Sequence, residues 1–224
     1  MRLKGIHVAG AFLAWFFALA IATCQAHAQL TPTWSRDSAE VGRGKAVAVG
    51  AASNAYVAAS IAGCAYGAPC VPTANREDVA LIRYSPTGAQ TVLRVMGGPD
   101  IDLPYGVAMQ QGDPVIGGDF MGFGAMIDSG KGLQPAGGFL GRYAHENGAH
   151  LWSQRFLFGT QVKAGASNGT VGAGSGQFQG TTNVGCGALV SAGSTDVWAA
   201  VFSETGSCLW SARYGGTSAD VGYW

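Results

Sequence analysis

The side chains with the widest chemical scope in this chain are its carboxylates. Asp119, Asp128 and Glu146 could supply the acid and base of a glycan-cleaving site, which needs two acidic groups about 5 to 10 Å apart in one cleft. They fall on different strands and turns of the sequence pattern, so only the assembled fold could bring them together. Asp100, Asp102 and Asp220 sit in loops between repeated segments. Oxygen-only ligation of Ca²⁺ would suit them. Plain turn formation suits them as well, because an Asp side chain bonds its own backbone. Turn formation is the expectation, and no cofactor or metal site is assigned.

Other reactive residues point to structure. Beyond residue 28 there are two histidines, His145 and His150, around the Asn147-Gly148 turn. A Ser–His–Asp hydrolase needs its base held by a third group. The sequence singles out no such set, so both are read as hairpin surface and no catalytic residue is assigned. Gly172, Gly174 and Gly176 resemble a dinucleotide-binding loop, but that loop must open a helix. Gln177-Phe178-Gln179-Gly180 follows instead and reads as strand and turn. Asn168-Gly169-Thr170, formally a glycosylation acceptor, reads as a turn. Arg83, Arg142, Arg94, Arg155 and Arg213 recur at fixed places and are expected to cover an outer strand with their stems while their heads stay solvated. Cys64, Cys70, Cys186 and Cys208 form an even set, which in an exported chain suggests disulfides with three connectivities open. Proximity in sequence pairs Cys64 with Cys70 and Cys186 with Cys208. A metal site is the poorer reading, because the spacing holds no C-x-x-C and no histidine lies near these cysteines.

The elements that must position these residues repeat. An apolar strand, a glycine turn and a second strand occur at 78–92, 137–152 and 196–210, with turn glycines Gly88, Gly148 and Gly206 and aromatic residues Tyr84, Tyr143 and Phe202. A long fixed period marks a repeat architecture. Before each hairpin lies a strand ending in Gly63, Gly122 or Gly180, and before that a further short apolar strand at 44–49 and 105–109. The third copy of that first strand looks degraded, with KAGASNGTV at 163–171 in its place. Within 78–84, Val79, Leu81 and Arg83 share one face and Ala80, Ile82 and Tyr84 the other, which predicts a strand in a sheet covered on both sides. No segment beyond residue 28 carries a helical stripe over three turns, so the fold class is all-β. Four strands per unit predict a β-propeller-like array of about three blades, incomplete or open, since closed propellers begin at about four blades. Trp152, Trp198 and Trp210 are expected to pack between blades.

Export is written in the first 28 residues. Arg2 and Lys4 precede an apolar run from Val8 to Ala22, and Ala26-His27-Ala28 offers cleavage before Gln29, the order of a secretory signal peptide. The run is short for a membrane span, and none follows it. Cys24 offers a lipid anchor as the alternative to plain export. Cleavage leaves eleven basic and thirteen acidic side chains. With a charged fraction of 12% and 36 glycines in 224 residues, no basic patch is available for a phosphate backbone, and nucleic-acid binding is disfavoured.

These motifs resemble the bacterial SBBP-type β-propeller repeat of large exported proteins, including those of myxobacteria. The likeness rests on GDFMG, on GGFLGRYAHENGAHLWS and on DVWAAVFSETGSCLWSARYGGTSADVGY, and covers roughly residues 34–224. It implies blades at 45–98, 99–160 and 161–216, a tail strand at 29–44 with Trp34-Ser35 matching Trp152-Ser153 and Trp210-Ser211, and the start of a further blade at 217–224. The chain is thus expected to be a piece of a longer propeller. The family supplies no catalytic residues. The function expected is a non-catalytic exported module, secreted or in the cell envelope, that binds a protein or a cell-surface polymer. Its partner is expected at the two longest insertions, 64–76 and 123–136. A propeller enzyme acting on glycans is the alternative.

Overall fold

The computed structural model describes residues 42–62, 77–122, 136–157 and 159–222, all within one compact unit, Arg36–Trp224. The signal segment 1–28 with Cys24, the tail segment up to residue 41, Cys64, Cys70, Asp128, the insertions at 64–76 and 123–135, and Trp224 lie outside these residues.

The described residues are all-β. Strands β1 (Gly42–Val49), β2 (Ala55–Ala62), β3 (Glu77–Tyr84) and β4 (Gln90–Met96) form a first antiparallel sheet in chain order. Strands β5 (Asp102–Gln110), β6 (Asp113–Phe120), β7 (Gly137–Tyr143) and β8 (His150–Arg155) form a second. Strands β9 (Gln161–Ser167), β10 (Gly172–Asn183), β11 (Ala188–Phe202) and β12 (Cys208–Tyr214) form a third. The third unit therefore does open on a strand. Small residues such as Gly165 and Ala166 hide its alternation in sequence, yet Val162 is fully buried and β9 pairs with β10 from Gln161 to Ser167.

Local chemistry sets the hairpins. In the first, the Ser85 hydroxyl accepts the N–H groups of Thr87 and Ala89, and Gly88 N–H bonds to Ser85 O. Ser203, Thr205, Ser207 and Gly206 repeat that arrangement in the third. In the second, Asn147 Oδ1 accepts Ala149 N–H instead. These are turn residues using short polar side chains to satisfy backbone donors.

Sheets pack face to face in sequence order. Strand β5 lies across β1, β2 and β3, and β9 lies across β5, β6 and β7. Tyr56, Val79, Leu81 and Met96 of the first sheet meet Val107, Ile116, Phe120 and Phe139 of the second. Val115, Leu140 and Trp152 of the second, with Phe156 just beyond β8, meet Val162, Phe178, Trp198 and Phe202 of the third. Each such side chain contributes roughly 1.5–3 kcal/mol when fully buried. The alternation read in β3 holds: Val79 and Leu81 enter the core between sheets, while Ala80 and Ile82 form a separate cluster on the opposite face.

Two expectations change at these junctions. Trp152 and Trp198 are buried as packing residues, but Trp210 is 48% exposed. It pairs with Val201 on the third sheet's far face, which lacks a following sheet among the described residues. The arginines are not uniformly solvated either. Arg83 Nη1 donates to His145 O at 3.0 Å and Arg142 Nη1 to Glu204 O at 2.9 Å, so each guanidinium caps the hairpin turn of the next unit. Those turns press close: a Cβ at Gly148 would meet Leu93 O, and one at Gly206 would lie 2.7 Å from the Trp152 ring. Both glycines also have φ near +75° (71° and 79°), a conformation that favours glycine. At the third unit the arginine position is Val201, and the capping ends.

The β10–β11 hairpin runs past its sheet and folds back. Val184 is fully buried in the core between the second and third sheets, and Cys186 is bonded to Cys208 at the start of β12. This confirms one of the two pairings expected from proximity, and a disulfide suggests an oxidising, extracytoplasmic environment. Among the described residues no helix is long and apolar enough to cross a membrane.

Candidate functional site

A cleft of about 290 Å³ opens where β6 ends and β9 begins, lined by Asp119, Phe120, Met121, Thr160, Gln161 and Gln177 among others. Asp119 stands in β6 opposite Gly138 and Leu103, and its side chain is turned toward the third sheet. Oδ1 accepts the Val162 N–H at 3.0 Å. Oδ2 is buried, accepts no hydrogen bond, and lies 3.9 Å from Lys163 Nζ. That ammonium sits 4.1 Å from the centre of the Tyr105 ring. Burial pushes the Asp119 carboxyl up to about 6, against the pull of the Val162 N–H and Lys163. Burial and the neighbouring Asp119 push the Tyr105 hydroxyl up to about 12.

The polar residues of the third sheet and its approach are braced. Gln177 Nε2 donates to Gln161 Oε1 at 2.8 Å, the Trp198 indole donates to Gln161 O at 2.9 Å, and Thr160 donates to Thr182 across a buried 2.7 Å bond. Strand register makes Ser60, Asp119 and Gln177 counterparts in the three sheets, since they oppose Val79, Gly138 and Val197. Register makes Pro104, opposite Gly118, the counterpart of Val162, opposite Gly176, and proline has no N–H to give.

The other residues singled out from sequence are dispersed. Glu146 lies in the turn beyond the far end of β7 from Asp119. Five residues of strand from Gly138 to Tyr143, at about 3.3 Å each, and then the turn separate the two, too far for an acid–base pair, and Asp128 lies outside the described residues. Asp102 and Asp220 serve two separate junctions in the same way, accepting Gly98 N–H at 2.7 Å and Gly216 N–H at 2.8 Å respectively. At each junction a glycine (Gly97, Gly215) leaves no room for a Cβ between two carboxylates, Asp78 with Asp102 and Asp196 with Asp220. Asp100 packs against Gly122. Both Asp102 and Asp220 are backbone-binding turn residues, and among the described residues no three His, Cys, Asp or Glu side chains are arranged to hold a metal ion. The Asn168 side chain likewise binds Thr170 and Val171 N–H in a turn, and Gly172–Gly176 lie in β10.

His145 has the orienting partner that sequence reasoning missed. Its Nδ1 lies 2.8 Å from Asp113 Oδ1, which also accepts the His145 N–H. Arg142 Nη2 bonds the other Asp113 oxygen at 2.9 Å. Burial opposes ionisation of Asp113, but these bonds win and hold it below the usual carboxylate range. No serine, threonine or cysteine is among the described partners of His145, so the pair braces the hairpin that Arg83 caps. His150 stacks edge-on against Tyr143 at 5.8 Å. Arg94 and Arg155 lie over the rings of Tyr143 and Phe120, and Arg213 is paired with Asp196 at 2.6 Å. Sequence pattern gave one signal for the cleft, an acidic residue in the otherwise apolar run Val115–Phe120. Neither a family model nor a curated protein matches this chain.

Proposed function

We propose that this chain is an exported, non-catalytic repeat module of the β-propeller type that binds a protein or cell-surface polymer. The observation that carries the reading is the repeated junction: Arg83 and Arg142 each cap the following unit's hairpin, and each sheet's first strand lies across the sheet before it. Such units shelter one another's apolar faces and leave their connecting segments free for recognition. The Cys186–Cys208 bond and the leader-like first 28 residues support delivery outside the cytoplasm, to the secreted fraction or the envelope, with Cys24 as the alternative lipid anchor. The SBBP-type likeness of the repeats supports the same reading.

The binding end is assigned to the side from which the β2–β3 and β6–β7 connections leave, because the cleft opens there and the two longest insertions belong to it. Shortening 64–75 and 124–135 to brief glycine linkers is expected to abolish retention of the purified protein on envelope or matrix material. Unchanged retention by a folded double deletion would refute the placement. One observation favours a glycan-acting enzyme instead: Asp119 keeps its proton up to about pH 6 in a cleft, as a general acid must. Release of new reducing ends from a polysaccharide, lost in Asp119→Asn, would establish that reading.

A further inference from the structure

The outer strand of the third sheet carries an exposed aromatic strip. Trp210, Ala212 and Tyr214 of β12 stand opposite Val201, Ala199 and Val197 of β11, so all six side chains share the far face. Trp210 is 48% and Tyr214 57% exposed. In the second sheet Trp152, opposite Arg142, holds the position of Trp210, and Phe156, bonded to Gly138, holds that of Tyr214. Both are buried against the third sheet, at 8% and 2%. A further sheet of the same kind would bury the strip, but the device that seats one is missing from this face. Arg83 and Arg142 cap the hairpin of the unit that follows them, and Val201 stands at their position in the third unit. Gly222 lies against Val197, which bounds the face at the Tyr214 end and leaves both rings open.

Charge restricts the occupant. None of these six side chains is charged. The cation of β12, Arg213, pairs with Trp198 on the opposite face and is bonded to Asp196 at 2.6 Å, so an anionic polymer finds no partner on the strip. Indole and phenol rings offer a broad face of partial negative charge with a polar tip. A neutral sugar ring matches that face, because its C–H groups lie flat on the aromatic ring while its hydroxyls point outward and stay hydrated. Four residues of strand at about 3.3 Å each place Trp210 and Tyr214 about 13 Å apart, and the small Ala212 between them raises no obstacle. That span exceeds one sugar ring, so the strip suits several rings of an extended chain.

We propose that the far face of the third sheet binds an extended neutral polysaccharide, whose rings stack on Trp210 and Tyr214. The surface is separate from the binding end assigned above, since the two long insertions belong to the first and second sheets. It goes beyond the module reading and names a contact of defined chemistry.

The test is calorimetric titration of the purified chain with cellohexaose, chitohexaose and xylohexaose, with glucose, N-acetylglucosamine and xylose as single rings, and with hexagalacturonate as the anionic control. At least one neutral hexasaccharide is expected to bind, its single ring about tenfold or more weakly, and hexagalacturonate not at all. Trp210→Ala and Tyr214→Ala should each weaken the hexasaccharide about tenfold or more. Leu157→Ala, 66% exposed just beyond β8, leaves affinity unchanged. Urea midpoints report whether each variant is folded. No binding of any neutral hexasaccharide, equal binding of hexagalacturonate or of the single ring, or affinity unchanged in either folded variant overturns the proposal. Dimerisation by light scattering that Trp210→Ala abolishes would give the face to a second copy and overturn it as well. If the strip fails while the double deletion still abolishes envelope retention, the module reading stands.

Discussion

Asp102 is 1% exposed at the first residue of β5, facing Asp78 across Gly97. Burial, with added repulsion from Asp78 and Asp100, raises its carboxyl to about 7 despite hydrogen bonds from Gly98 and Met121. In the unfolded chain the same group titrates near 3.8. Between about pH 4 and pH 7 the folded chain therefore holds the extra proton, and stability falls as pH rises through that window and levels off above it. Asp119, raised to about 6, adds to the same trend over the lower part. Urea unfolding at pH 5 and pH 8 should show the protein more stable at pH 5 by about 4 kcal/mol, and Asp102→Asn should remove most of the difference. An equal difference in the variant would mean that other groups set it. At this scale the sequence was partly legible. Asp102 and Asp220 were readable as turn formers because Gly-Gly followed four residues later by Asp repeats. Asp113 beside His145 was not, because 32 residues separate them and only strand pairing brings β6 beside β7.

Hairpins and strands were legible element by element, since turn chemistry and two-residue alternation are local signals. What crosses between elements was not. Trp152 and Trp210 share the phrase Leu-Trp-Ser, yet Trp152 is 8% exposed beneath the Gly206 turn and Trp210 is 48% exposed. Trp152→Ala is therefore expected to cost about 3 kcal/mol by denaturant unfolding, and Trp210→Ala no more than about 1 kcal/mol. Similar losses at both sites would show that another surface covers Trp210. The folded-back β10–β11 hairpin was legible only through its cysteines. Cys186 and Cys208 are 22 residues apart, and a loop of that size is worth about 2–4 kcal/mol of stability when closed. Reduction, or the paired change Cys186→Ala with Cys208→Ala, should lower the urea midpoint accordingly, and an unchanged midpoint would mean the hairpin docks without its bond.

On the scale of the whole molecule, the period of the sequence reappears as period in space: four-stranded antiparallel sheets, each beginning about 60 residues after the last and laid across its predecessor. Composition and repeat spacing carried that much, because an apolar strand with two covered faces needs a neighbouring sheet on each side. They did not carry the cleft. At that junction the Asp119 carboxylate is held by the Val162 N–H of β9, whereas the matching position of β5 is Pro104, a difference visible only once strands are in register. Apolar faces sheltered in this way should make the sheets a single cooperative unit. Native-state hydrogen exchange on Gly206→Ala examines that directly, since the added methyl would be driven into Trp152 of the preceding sheet. Faster exchange throughout β6, β7 and β8 as well as β11 and β12 is the outcome expected; faster exchange confined to β11 and β12, with β6–β8 untouched, would contradict it.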